Sequence, residues 1–167
     1  MADELRLAPA DGIAVIWDRA AVAGLGAPGE ADPAWRLDGS LDPGFSLLRV
    51  VSGATENGSR LMLCAARPLD ATHHAEELVA AAVVEPEGDV AEIDEALVST
   101  QYAADGSIRR LGLELYKPGD DYPLRGAGDT TGTSSSEDNG TRHDRAELSF
   151  RLDGSAGAAT YEIVRRA

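Results

Sequence analysis

Residues 96–116 read ALVSTQYAADGSIRRLGLELY, two alternating runs joined at Asp105-Gly106. An Asp-Gly pair between alternating segments is a strong hairpin signal, because the tight turn it favours needs positive φ at both central residues. With Asp105-Gly106 as a two-residue loop, Tyr102 faces Arg109, Thr100 faces Leu111, Val98 faces Leu113 and Ala96 faces Leu115. The other face pairs Gln101 with Arg110, Ser99 with Gly112 and Leu97 with Glu114. One face is largely apolar and the other mostly polar, the pattern of an antiparallel sheet with one side on a core and one in water.

The rest of the chain supplies more of the same. IAVIW (13–17) is rich in β-formers, and RAAVAGLG is a candidate short helix ended by Gly24 or Gly26. GAPGEADP is a Gly- and Pro-punctuated loop, so residues 1–34 read as an N-terminal strand and loop extension and 35–167 as the main domain. FSLLRVVS (45–52) and RLMLCAAR (60–67) flank an Asn-Gly turn signal and are expected to pair. Pro86 and Gly88 break the Ala- and Glu-rich segment that follows, which predicts strands over 78–85 and 90–102 with PEGD as their turn. YPLRGAGD (122–129) is a short strand, and TTGTSSSEDNGTRHD reads as a polar loop, mobile over 128–144. AELSFRLDG and GAATYEIVRR then form a closing hairpin whose four-residue loop, Gly154 to Gly157, sets Phe150 against Tyr161 and Leu148 against Ile163. The fold class that emerges is all-β: an antiparallel meander of about eight strands, with edges joined into a barrel or open half-barrel to hide unpaired backbone.

At 167 residues the chain suffices for one core burying about two thirds of its unfolded surface. A net charge of −14 argues against nucleic acid or an anionic bilayer as partner, since both require clustered Lys and Arg. The single cysteine, Cys64, sits in the apolar run LMLCAA and reads as a small buried hydrophobe. MADELRLAPADG has neither a basic n-region nor an apolar h-region, and no run approaches the ~20 apolar residues of a membrane span, so a cytoplasmic protein is expected.

The order of the pieces, with STQYAADGSIRRLGLELY in a meander and AELSFRLDGSAGAATYEIV as closing hairpin, resembles the C-terminal barrel of the tandem lipocalin-like proteins related to carotenoid 1,2-hydratases. The resemblance runs from Trp35 to Val164. It implies a lipocalin-like barrel with an apolar interior suited to terpenoid or lipid-like molecules, and in the hydratases a reaction that adds water to a carotenoid double bond. The Trp and His positions distinctive of that family lie in its first barrel; Trp17, Trp35, His73 and His74 do not reproduce them, which favours binding over catalysis.

Each candidate site has a plainer reading beside it. His73 and His74 are adjacent, so in a strand they point apart, and the third histidine, His143, falls in the polar loop; a solvated turn competes with a metal site, which wants three or four convergent donors. Asp120, Asp121, Glu137, Asp138 and Asp144 lack the spacing of a calcium loop and read as an acidic rim. GAGD (126–129) has glycines without the following helix of a phosphate loop. Ser134 to Ser136 with His143 supply hydroxyls and an imidazole, but a mobile loop does not preorganise a triad. No catalytic residue, metal or cofactor is therefore expected.

The inner faces carry more information. Tyr102, Phe150 and Tyr161 fall there with Leu111 and Leu113, and Arg109 stands opposite Tyr102. An inward guanidinium costs several kcal/mol unless paired, so these six residues are the expected ligand-binding set. Arg109 and Tyr102 would meet the polar end of an apolar ligand, or else both snorkel into solvent near the turn. The leading functional expectation is a non-catalytic binding domain for a lipid- or isoprenoid-like small molecule. The alternatives are a structural or protein-interaction domain, including a homodimer through an exposed sheet edge, and a hydratase- or cyclase-type enzyme. The enzyme would need Glu114 or Glu162 in the interior, and the alternation sends both outward.

Overall fold

The computed structural model describes residues 4–24, 35–41, 44–72 and 77–166. In chain order the elements are β1 (Glu4–Ala10), β2 (Ile13–Asp18), the short helix α1 (Arg19–Gly24), β3 (Arg36–Gly39), β4 (Phe45–Thr55), β5 (Arg60–Pro68), β6 (Leu78–Val84), β7 (Val90–Glu92), β8 (Glu95–Tyr102), β9 (Ile108–Tyr116), β10 (Leu124–Asp138), β11 (Thr141–Leu152) and β12 (Ser155–Arg166). Nine strands make one antiparallel sheet in the order β7-β6-β5-β4-β12-β11-β10-β9-β8, and β1-β2-β3 make a smaller one. The large sheet is a meander in which the last strand, β12, returns to pair with β4. Its two edge strands are consecutive in the chain, separated by Ile93 and Asp94, whose N–H groups donate to Ala81 on β6 and Tyr116 on β9. A single bent segment from Val90 to Tyr102 thus curls the sheet into an all-β, lipocalin-like barrel.

The opening hairpin keeps its expected register from Glu95 opposite Tyr116 to Gln101 opposite Arg110. Beyond that it departs. Tyr102 stands opposite Ile108, and Arg109 is the extra residue of a bulge, a device that re-aims side chains at strand ends. The cause is the turn: Ala103 N–H donates to Ser107 O at 2.8 Å and Gly106 N–H to Ala103 O at 2.9 Å, a three-residue loop. Asp105 Oδ1 accepts from the Ser107 N–H at 3.0 Å and the Ser107 hydroxyl at 2.6 Å, which stabilises the longer loop with positive φ at Gly106 but not at Asp105. The two-residue turns with both central φ positive lie elsewhere, at Asn139-Gly140 and Asp153-Gly154.

Those two turns correct two further expectations. Segment 128–144 is not a loop: β10 and β11 pair from Gly126 opposite Leu152 to Asp138 opposite Thr141, because the Asn139-Gly140 turn lets a Ser- and Thr-rich sequence pair as a ribbon. In the closing hairpin, Asp153-Gly154 sets Leu152 against Ser155, Phe150 against Gly157, Leu148 against Ala159 and Ala146 against Tyr161. The partners move by an even number of positions, so the apolar faces survive the correction. Ala146, Leu148, Phe150, Leu152, Ala159, Tyr161 and Ile163 share one buried cluster inside the barrel.

A second core lies outside it. Leu48, Val50, Met62, Cys64 and Ala82 turn away from the interior and pack against Ile13, Val15, Trp17 and Trp35, with Trp17 Nε1 donating to Ser52 Oγ at 2.9 Å. Strands β4 to β6 are therefore covered on both faces, the environment that near-continuous apolar runs such as RLMLCAA suit. Because β2 pairs with β3 from Ile13 opposite Gly39 to Ile16 opposite Arg36, the small sheet joins residues on both sides of position 34.

Candidate functional site

Strand parity places a charge inside the barrel. On β4, Leu48 and Val50 face the outer core, so Arg49 faces inward, between the interior residues Leu47 and Val51. It is 3% exposed. Its Nε donates to both oxygens of Glu77, at 3.0 and 3.1 Å, and Glu77 also pairs with Arg67 at 3.0 Å. The terminal Nη1 donates to Tyr161 Oη at 2.8 Å, to Tyr102 Oη at 3.0 Å and to Thr100 Oγ1 at 3.5 Å. Tyr161 Oη and Thr100 Oγ1 are themselves bonded at 2.7 Å. Burial works against the Arg49 charge, but Tyr161, Tyr102 and Glu77 outweigh it and hold the guanidinium firmly protonated. Burial also pushes the Tyr161 phenol up, against the opposing pull of Arg49.

The ladders place more charge beside this cluster. Leu47 lies opposite Arg67 on one side and Arg165 on the other, Arg165 opposite Arg142, and Arg142 opposite Glu137. Asp144 accepts from Arg142 at 3.0 Å, from Arg165 at 3.1 Å and from Ser135. Burial acts to raise its carboxyl, yet Ser135, Arg142 and Arg165 prevail and keep it below the ordinary carboxylate value. This end of the barrel is a polar mouth. The opposite end is filled: a methyl group at Gly53 or Gly126 would lie 3.3 or 3.4 Å from the Phe150 ring.

The six expected ligand residues separate accordingly. Tyr161 is at the centre of the Arg49 cluster, and Tyr102 brings its hydroxyl there while remaining 46% exposed. Leu111, Leu113 and Phe150 are buried in the interior core. Arg109, the bulge residue, is exposed and does not stand opposite Tyr102; the inward arginine bonded to Tyr102 is Arg49. Sequence reasoning missed Arg49, although a charge in the middle of FSLLRVVS was a usable signal, since a run with little alternation implies burial on both faces.

Glu162 does point outward, as expected, but it is 1% exposed. Trp35 Nε1 donates to it at 2.6 Å, His143 Nε2 lies 3.0 Å away and Arg145 Nη1 3.6 Å. Ser136 stands opposite His143 on the ladder. His73 and His74 lie outside the described residues, and among the described residues no three His, Cys, Asp or Glu side chains gather as a metal site. Burial pushes the Cys64 thiol up to about 12, which makes it inert at neutral pH. The described surface also has a groove of about 590 Å³ over the outer wall, lined by Leu97, Ser99, Gly112, Glu114, Arg125 and Arg151 among others.

A meander barrel with a polar cluster set in an apolar interior defines the class: a lipocalin-like β-barrel protein. The structure is similar to the crystal structure of kievitone hydratase from Nectria haematococca, with a TM-score of 0.55 at 14% identity, covering 98% of this chain and 65% of that one. At that identity the likeness is one of fold, and this chain spans about two thirds of the other's length. No family model and no curated protein matches the sequence.

Proposed function

We propose that the protein is a binding domain whose barrel takes up an apolar small molecule, lipid- or isoprenoid-like, and holds that molecule's polar end at Arg49, Tyr161, Thr100 and Tyr102. The observation that carries this reading is the buried guanidinium with three hydroxyls gathered in an otherwise apolar interior. Burying an ion pair contributes little net stability, and well-packed apolar residues do as well or better. Recognition of a ligand's polar atom is a reason to keep one. The lipocalin-like fold supports the reading, and the resemblance to carotenoid 1,2-hydratase-related barrels favours isoprenoid over other apolar ligands. The protein works in the cytoplasm on this reading, without a cofactor and with neither nucleic acid nor bilayer as partner. No helix among the described residues is long and apolar enough to cross a membrane.

Native mass spectrometry of protein purified from its own host, with organic extraction of anything carried along, tests the proposal. A stoichiometric apolar molecule is expected; an empty protein that also binds no lipid-like dye would sink it.

A second reading, a hydratase or cyclase acting on a terpenoid, draws on the hydratase named above and on the bonded chain from Arg49 through Tyr161 to Thr100, which sets a phenolic proton in the interior. Incubation with terpenoid alkenes would then yield a product heavier by one water from a hydratase, or a cyclised isomer of unchanged mass from a cyclase. A third, a homodimer, draws on β10, which from Gly132 to Asp138 pairs with β11 alone among the described strands.

A further inference from the structure

We infer that the molecule taken up by the barrel ends in a carboxylate, or another anion of the same charge, which docks beside Arg49 at the polar mouth. The inference rests on the binding reading above and adds the chemistry of the ligand's end.

The first argument is the direction of the hydrogen bonds. Arg49 commits Nε to Glu77 and turns Nη1 toward the hydroxyls. Tyr102 Oη and Tyr161 Oη accept from it, so each phenol has its own proton left to give. Tyr161 has Thr100 at 2.7 Å to share with, whereas Tyr102 sits where the cluster meets solvent. The cluster therefore presents donors, guanidinium N–H and phenolic O–H, and a ligand end that suits it must accept.

The second argument is charge. Among the described residues at this end, the arginines Arg49, Arg67, Arg142 and Arg165 stand beside the carboxylates Glu77, Asp144 and Glu137, and Asp105 lines the same recess as Arg142 and Asp144. The mouth as a whole is balanced, but the charge that Tyr102 and Tyr161 surround is the Arg49 guanidinium. A carboxylate complements that charge; an alcohol does not, and an ammonium opposes it. In a site screened from water, hydrogen bonds to an ionised acceptor are also about twice as strong as neutral ones.

The third argument is access. Exposure falls from 42% at Arg142 and 40% at Arg165 to 3% at Arg49, a path from water to the cluster. β6 and β7 share a ladder only over Ala82 to Val84, so toward the mouth β6 and β8 run on without a shared ladder, and Glu77, Arg49 and Tyr102 link them through side chains.

The test titrates delipidated full chain with tetradecanoate, tetradecan-1-ol and tetradecylamine, each displacing a lipid-like fluorescent dye. The acid is expected to bind tighter than the alcohol by about tenfold or more, the ratio that one charge-assisted hydrogen bond yields, and the amine weakest of the three. In the paired replacement R49M with E77L, which removes both charges of the innermost pair and leaves the half-buried Arg67 without the Glu77 carboxylate, the acid should lose its advantage while the alcohol still binds. Y102F, at an exposed position that does not endanger folding, should narrow the acid's advantage in the same direction. Equal binding of acid and alcohol by the unaltered protein would overturn the anionic headgroup and leave the binding reading standing. Failure of all three, together with no dye uptake, would instead remove the binding reading itself.

Discussion

Tyr161 and Glu162 are neighbours on β12, yet each is the hub of a different buried polar cluster. Tyr161 faces the barrel interior and meets Arg49 and Thr100; Glu162 faces the outer wall and meets Trp35, His143 and Arg145. Both clusters bury charge, and the difference lies in what closes them. Trp35, at the foot of the small sheet, caps the outer cluster, so Glu162 fastens the N-terminal sheet to the barrel wall. The inner cluster opens to solvent through Tyr102. One charged group serves the fold; the other, on the binding reading proposed above, is placed to meet a ligand.

The sharpest way to break this contrast is E162A. It leaves the Trp35 indole without its acceptor and takes the carboxylate from beside His143 and Arg145, and an unfolding free energy lower by about 4 kcal/mol is expected in guanidinium titrations, with the dye still taken up by the folded fraction. Loss of dye uptake at full folding would mean that the two clusters are not separate. Next in size, R49M alone leaves Glu77 buried with one fewer arginine and should cost about 3 kcal/mol. The double replacement R49M/E77L should recover part of that loss in the same titration, because the pair contributes little net stability while Arg67 also loses its Glu77 carboxylate. Y161F removes one hydroxyl from a satisfied network and should cost about 1 kcal/mol.

A further effect is read from pH. Burial raises the Cys64 thiol from 9.0 to about 12, so its contribution is present in full below 9.0 and is lost as pH climbs toward 12. Tyr161, also raised by burial, acts in the same alkaline direction. C64A should flatten part of the alkaline fall in stability, and Y161F a further part. Asp144, held below the ordinary carboxylate value despite its burial, acts in the opposite sense: its contribution is present at neutral pH and is lost as pH falls through its folded value. D144N should flatten the acid limb.

Much of the fold was legible because alternation is a local property. Seven cross-strand pairs from Glu95 to Gln101 follow from an Asp-Gly signal and a two-residue period. The departures have identifiable causes. Asp105 prefers to bond Ser107, which lengthens the turn by one residue and displaces Arg109. The TSSSED run has the composition of a loop, but it ends at an Asn-Gly pair that closes a two-residue turn. The even shift in the closing hairpin left every face intact, which is why Phe150 and Tyr161 were read as inward although their partners differ. Arg49 was absent from that reading because FSLLRVVS shows almost no alternation, so its direction did not stand out.

The sequence by itself determined that the chain is β, where it turns, and which side of each strand is apolar, since these depend on dihedral preferences and on a period of two within a few residues. Tertiary structure alone decided that Tyr161, Thr100, Tyr102 and Glu77 converge on Arg49, and that Trp35 covers Glu162. Such meetings span up to 127 residues and depend on the summed register and curl of all the intervening strands, where each one-residue bulge changes which side chains share a level.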